Sequence, residues 1–360
     1  RRCKTPRPHK FTLKMNGPDK PQKRRANSAI FKSTRIRLAR NLAGRKFVNT
    51  LDPNGLSEVL NFCGQTLSGV RKLSGGTFLK MDDLPQHDKD MLVEERLASR
   101  ELAESSYGRG VFVSADKSCA VMVNEEDHLR IQTFSKGLNL AAALRSANAI
   151  DDGFEKNAKY AFSPTFGYLT ACPTNTGTGL RASVMMHLPA LALSDLMDKV
   201  VRGLSQLGIC VRGASGEGSD SFGSFFQISN QQTLGLSEAD IIKKMAKFVK
   251  KVAEFEINAR EKLSYENPLL LEDKFSRAKA LLASCRLIDT SEALSTLSYI
   301  RFMADMSGDP RAGEFIEEID SVAMSVKPAH LTANSGLRDA DSQKRDASIL
   351  NEFAKKIPNI

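Results

Sequence analysis

The 360 residues suffice for two domains, or one large domain with an appendage, and a 41% hydrophobic content excludes wholesale disorder. The formal charge of +10 is unevenly placed: residues 1–50 hold 16 Lys or Arg against the single acid Asp19, which leaves −5 for the rest and excludes a uniformly basic fold. Six scattered cysteines without a CxxC pair, and five histidines without ligand spacing, argue against a disulfide scaffold or a zinc site and suit a reducing cytoplasm.

Residues 1–32, punctuated by Pro6, Pro8, Pro18 and Pro21, read as a basic, disordered arm. A solvated tail is the preferred reading over an arm holding nucleic acid or an acidic partner. The leader lacks an apolar stretch of signal-peptide length, and no run approaches a membrane span.

From Ala29 to Arg37 the chain alternates, which predicts a strand with Arg35 and Arg37 on one face. Helices are expected over 57–67 and 88–102. Two neighbouring strands follow, 110–113 and 119–123, joined by a Ser-Ala-Asp-Lys turn. A strand at 129–133 precedes an amphipathic helix over 138–154. Arg181 to Leu188 reads as a buried strand ended by Pro189, then a helix over 194–207 and a short strand over 209–212. The Gly- and Ser-rich loop from Gly213 to Gly223 leads into a strand at 225–229. A long helix then spans 237–263, with Ser237 as N-cap. Ser264-Tyr-Glu-Asn-Pro268 resembles a linker, and the remainder lacks strand signals. The predicted fold is α+β: an antiparallel sheet flanked by helices in a domain over 33–263, followed by an all-helical domain over 264–360.

Chemistry concentrates in a few segments. Cys172-Pro-Thr-Asn-Thr-Gly-Thr-Gly-Leu-Arg181 joins a thiol, a glycine-containing turn and an arginine entering an apolar run, a combination suited to anions. It is not a Walker A loop, because no Gly-Lys-Ser/Thr stands at the required spacing.

With Cys172 to Leu191, three further segments complete a pattern: Ser33-Thr-Arg-Ile-Arg37, Asn124-Glu-Glu-Asp-His-Leu-Arg130, and Val211-Arg-Gly followed by Gly216-Glu-Gly218 and Gln227-Ile-Ser-Asn230. In order and approximate spacing this resembles the guanidino (phosphagen) kinases, and within them the bacterial protein-arginine kinases. The resemblance spans residues 33 to about 262. It implies transfer of the γ-phosphoryl of ATP to a guanidinium nitrogen, with Mg²⁺ accompanying the nucleotide on phosphate oxygens and water. By the same resemblance Arg35, Arg37, Arg130, Arg181 and Arg212, with Ser33, take the nucleotide. Planar guanidinium groups pair with phosphate and stay charged. Glu126 and Glu217 fall on the catalytic carboxylates and Cys172 on the reactive cysteine, which would orient the acceptor. Strand alternation predicts that Glu125 and Glu126 cannot both face the substrate; Glu126, on the face of Arg130 if the strand continues, is assigned the role. Cys63, Cys119, Cys210 and Cys285 are assigned as buried structural thiols.

Metabolite kinases of the family carry an additional N-terminal helical domain that closes over a small substrate, whereas 32 residues precede Ser33 here. Together with Val184-Met-Met-His-Leu-Pro189 and the helical domain after residue 263, this implies a protein-borne arginine as acceptor. The alternatives are a small-molecule guanidino kinase and a catalytically silent binding module. The resemblance further implies a homodimer, stress-related proteolysis of the products by a Clp-type protease, and a zinc-finger activator. The relatives' phosphoarginine-recognition motif, Arg-Asp-x-x-Arg-Ala, corresponds here to Ser342-Gln-Lys-Arg-Asp-Ala347, in which only Ala347 matches. Arg338 and Arg345 remain the candidates for that recognition. No membrane association is expected.

Overall fold

Ile36 and Leu38, two residues apart and in line with buried Thr34, turn one face of residues 31–40 inward and make the strand around which the sheet assembles. The computed structural model describes residues 29–105, 107–213, 222–335 and 339–357. In it, β1 (Phe31–Arg40) lies inside an eight-stranded antiparallel sheet. The other strands of that sheet are β2 (Thr77–Lys80), β3 (Gly110–Val113), β4 (Cys119–Val123), β5 (Leu129–Lys136), β8 (Leu180–His187), β9 (Ile209–Gly213) and β10 (Phe225–Asn230). Their order is β2-β3-β4-β5-β1-β8-β10-β9, while β6 (Phe162–Ser163) and β7 (Gly167–Tyr168) form a separate two-stranded ribbon.

The pleat sends Ile36, Leu38, Ile131, Ala182, Val184 and Ile228 to one face, where each is fully buried. The helices Leu140–Glu155 and Glu238–Glu266 cover that face. Burial of each leucine or isoleucine there contributes roughly 1.5–3 kcal/mol. The opposite face is left to carry polar and charged groups.

Ser237 caps the long helix, its hydroxyl accepting from Asp240 N at 3.1 Å. Buried Ile241, Met245, Val249, Val252, Ala259 and Leu263 mark its inner stripe. This helix runs on through Glu266, so the stretch 264–268 is not a linker: only Asn267 separates it from Pro268–Ser284, where the proline opens a new helix. Four more helices follow: Thr290–Met306, Ala312–Ser325, Pro328–Ser335 and Asp339–Ala354. Three of them, all but Pro328–Ser335, share with the helix Pro268–Ser284 a second core that includes Leu282, Ile300, Ile319 and Leu350.

Other differences have local causes. The helix expected over 88–102 is two, Gln86–Glu94 and Arg100–Glu104, because Arg96 turns into the left-handed region (φ 65°) and Ser99 caps a fresh start. At the front, Ile30 is buried and Phe31 opens β1, so residues 29–32 belong to the fold. Cys63 and Cys119 are buried, whereas Cys210 and Cys285 are only partly so. Among the described residues no helix is long and apolar enough to cross a membrane.

Candidate active site

Register decides which side chains meet on the uncovered face. Arg37 stands opposite Arg181 across β1 and β8, and opposite Gln132 across β1 and β5; Ala39 faces Arg130. Arg212 on β9 is opposite Gln227 on β10. Arg37, Arg130 and Arg181 thus converge on a cleft of about 140 Å³, lined also by Glu126, Cys172 and Asn175. Like charges placed opposite each other destabilise a sheet. The strain shows in the guanidinium groups. Burial first, then Arg35, Arg130 and Arg181, hold Arg37 well below the usual arginine range. Arg35 is lowered to about 9 by burial and by Arg96, Arg130 and Arg181, and Arg181 by burial and then Arg212. The Nε atoms of Arg37 and Arg181 are buried and have no hydrogen-bond partner among the described residues. A polyanion would satisfy both deficits at once.

Arg35 does not line this cleft. Its guanidinium donates to Gln227 Oε1 at 2.8 Å, and Arg181 donates to Ser229 Oγ at 3.2 Å. Ser33 lines a larger cleft of about 440 Å³, with Arg96, Phe134, Phe225, Arg301 and Lys327.

The premise used to separate the two glutamates is overturned. Residues 124–128 do not continue the strand; they form a turn between β4 and β5, with Asn124 in the left-handed region (φ 58°) and its N–H donating to His128 O at 3.1 Å. Both Glu125 and Glu126 therefore reach Arg130. Glu125 accepts from Arg130 through both oxygens at 2.7 Å, from Ser99 Oγ at 2.8 Å and from its neighbour's N–H at 2.8 Å. Among the described residues Glu126 accepts from Arg130 at 3.1 Å and Asn175 at 3.3 Å. Their side chains are 4% and 40% exposed. Surroundings, rather than strand alternation, distinguish them: Glu125 is saturated and fixed, and Glu126 stands at the rim of the cleft.

The turn is locked to the thiol loop from below. Asp127, buried, accepts from Asn41 Nδ2 at 2.6 Å and from Ala171 N at 2.7 Å, directly before Cys172. Cys172 Sγ lies 3.0 Å from Thr174 Oγ. His128 is fully buried; its Nδ1 accepts from Leu42 N and its Nε2 donates to Lys46 O, both at 3.0 Å. Burial, with Arg45 adding, pushes its pKa down to about 4. The unfolded chain takes up this proton near pH 6.5 and the folded one only near pH 4, so the stabilisation is complete above 6.5 and drains as pH falls toward 4. About 3 kcal/mol is at stake. Urea midpoints measured from pH 7 to 4.5 should fall for the wild type, and less steeply for His128→Asn.

Of the remaining expected site residues, Glu217 and Arg338 lie outside the described residues, as does the side chain of Arg345. In the position of the recognition motif's second arginine stands Asp346, buried, with one oxygen that has no partner among the described residues and its pKa raised to about 7 by burial.

The family model described as ATP:guanido phosphotransferase, C-terminal catalytic domain, matches residues 58–259. The chain belongs to this ATP:guanido phosphotransferase family. A second model, the protein-arginine kinase McsB C-terminal domain, matches residues 268–358. Over 350 residues (96% of this chain, 95% of the relative) the sequence is 39% identical to a protein-arginine kinase of Syntrophomonas wolfei. A protein-arginine kinase of Bacillus pumilus is 42% identical over 296 residues, 82% of this chain and 79% of the relative. Lombricine kinase, a solved structure, is similar at a TM-score of 0.56 and 29% identity, over 64% of this chain and 67% of that one. Within this ATP:guanido phosphotransferase fold, the groups that sequence reading passed over are Asp127, His128, Asn175 and Arg96. The first two lie inside the quoted Asn124–Arg130 segment, where a buried Asp-His pair in a turn is itself a signal of a locked loop. Nothing in the local sequence marks Arg96, which comes near Arg35 only through the break between two helices.

Proposed function

We propose that this chain transfers the γ-phosphoryl group of ATP to the guanidinium of arginine side chains in proteins. The single observation that carries the reading is the facing pair Arg37 and Arg181, each with a buried Nε that has no partner among the described residues, beside the half-exposed Glu126. Arg35, Arg37, Arg130, Arg181 and Arg212 take the phosphates, and Ser33 the nucleoside end toward the larger cleft. Glu126 and Glu217 align the acceptor guanidinium, and Cys172 orients it from the adjoining loop.

The guanidinium nitrogen attacks phosphorus, the bond to the β-phosphate oxygen breaks to give ADP, and a nitrogen proton passes to Glu126 as the N–P bond forms. A free guanidinium, with a pKa above about 12, does not surrender that proton beforehand. Charge spread over the departing phosphoryl oxygens is met by the arginines. A cleft lined by three guanidinium groups offers a hard cation few ligands, so Mg²⁺ would bind phosphate oxygens and water, neutralising charge there.

What supports a protein acceptor is the likeness to protein-arginine kinases along nearly the whole chain, including the helical part. We assign the residues before 29 to an arm, 29–266 to catalysis and 267–360 to a helical domain that dimerises. By family resemblance the enzyme acts in the cytoplasm and feeds a Clp-type protease with help from a zinc-finger activator. To test the acceptor, ATP is supplied with free arginine or with an arginine-rich protein. Turnover is expected with the protein alone; robust turnover of free arginine would make this a metabolite kinase.

A further inference from the structure

We propose that Ser298 of the helical domain, backed by His187 and Arg301, is a positioning residue for phosphoryl transfer. It fixes the turn at which the chain passes from the stretch carrying Glu217 into β10. The inference rests on the function proposed above.

The turn is in need of an outside anchor. Gly223 (φ 73°) and Ser224 (φ 54°) are both in the left-handed region, which costs glycine nothing but which the serine keeps only where surroundings over-determine it. A Cβ on Gly223 would meet Leu294 O at 3.0 Å and Ser298 Cβ at 3.4 Å, so glycine lets the helix Thr290–Met306 come this close. Ser298 Oγ donates to Gly223 O at 2.6 Å. Downstream, β10 presents Gln227, which holds Arg35.

The polarity of the chain of hydrogen bonds behind Ser298 is forced. Arg301, 2% exposed, can only donate, so His187 Nδ1 accepts from it at 2.9 Å. His187 Nε2 must then carry the proton and donate to Ser298 Oγ at 2.8 Å, leaving the serine hydroxyl hydrogen for Gly223. The His187 ring also stacks on Phe225, the first residue of β10, with centroids 4.7 Å apart. Burial, and then Arg301, hold the imidazole neutral, consistent with this tautomer. Arg301 also reaches toward β1 on the same side of the sheet: its Nε donates to Asp320 at 3.3 Å, which accepts from Lys32, next to Ser33, at 2.9 Å. The helix Thr290–Met306 therefore holds the entry to β10 directly and the start of β1 through Asp320 of the helix Ala312–Ser325.

Four variants are compared on an arginine-rich protein substrate: Ser298→Ala, His187→Leu, His187→Gln and Glu217→Gln. Ser298→Ala and His187→Leu should each lower kcat about tenfold or more, with KM for ATP within about threefold, since positioning errors fall on the transition state. His187→Gln offers an acceptor and a donor in the same sense and should retain most of the rate that His187→Leu loses. A folded Ser298→Ala enzyme with wild-type kcat would overturn the inference, as would losses that merely track the fraction of folded protein. Should the variants fail to fold, ¹⁵N spectra of the wild-type imidazole decide: a proton on Nε2 is required, and one on Nδ1 overturns the relay. Wild-type rates in Glu217→Gln would instead sink the site assignment itself.

Discussion

Glu126→Gln should cut phosphoarginine formation by about 10²–10⁴-fold, the range for loss of a positioned proton acceptor, and leave the fold intact. The side chain is 40% exposed and its contacts with Arg130 and Asn175 are long, so little stability rides on it. The neighbouring change Glu125→Gln is the control. It leaves the cleft's rim untouched but weakens a buried carboxylate that accepts from Arg130, Ser99 and the next residue's N–H. Hydrogen bonds to charged groups are worth about 1.5–3 kcal/mol each, so this variant should lose melting temperature first. Rates measured with the fraction folded fixed will separate the two. Equal losses in both would deny Glu126 its special role.

Arg37→Met should uncouple stability from function. The guanidinium is desolvated, stands across from Arg181 and has a buried Nε with no partner among the described residues. Removing it relieves like-charge repulsion, so the melting temperature without nucleotide should hold or rise. Two losses should accompany that gain. The stabilisation that ATP confers on the wild type by binding only the folded state should largely vanish. Transfer should drop by about 10³–10⁵, as when a charge-stabilising arginine is removed from phosphoryl transfer. Calorimetry with and without ATP, followed by turnover assays, reads all three. A variant that is destabilised yet still binds ATP would mean that Arg37 is structural.

How much of this was legible in the residues follows from what each signal encodes. Alternation in 29–37 and the continuous apolar runs of 119–123 and 181–188 located three of the strands that form the site, since a strand buried on one face alternates and one buried on both does not. Arg35 and Arg37 could be placed on one face for the same reason. The four-residue strand Thr77–Lys80 at the sheet edge escaped, since so short a run carries almost no pattern. The linker at 264–268 was misplaced because Ser264 hydrogen-bonds back to Arg260 O, which lets a turn-favouring residue sit inside a helix. The glutamates are the instructive case. Sequence assumed a strand through 125 and 126, whereas Asn124 at positive φ folds the segment into a turn that puts both on Arg130. Contacts between segments far apart in the chain, such as Ser298 with Gly223 or Asp127 with Ala171, are invisible to periodicity altogether.

The most direct test of the account is mass spectrometry of an arginine-rich protein after incubation with ATP and the full chain, prepared without acid so that N–P bonds survive. The account predicts phosphate on arginine side chains with the wild type and its near absence with Glu126→Gln. Phosphate confined to serine, threonine or tyrosine, or arginine modified equally by both enzymes, would contradict it.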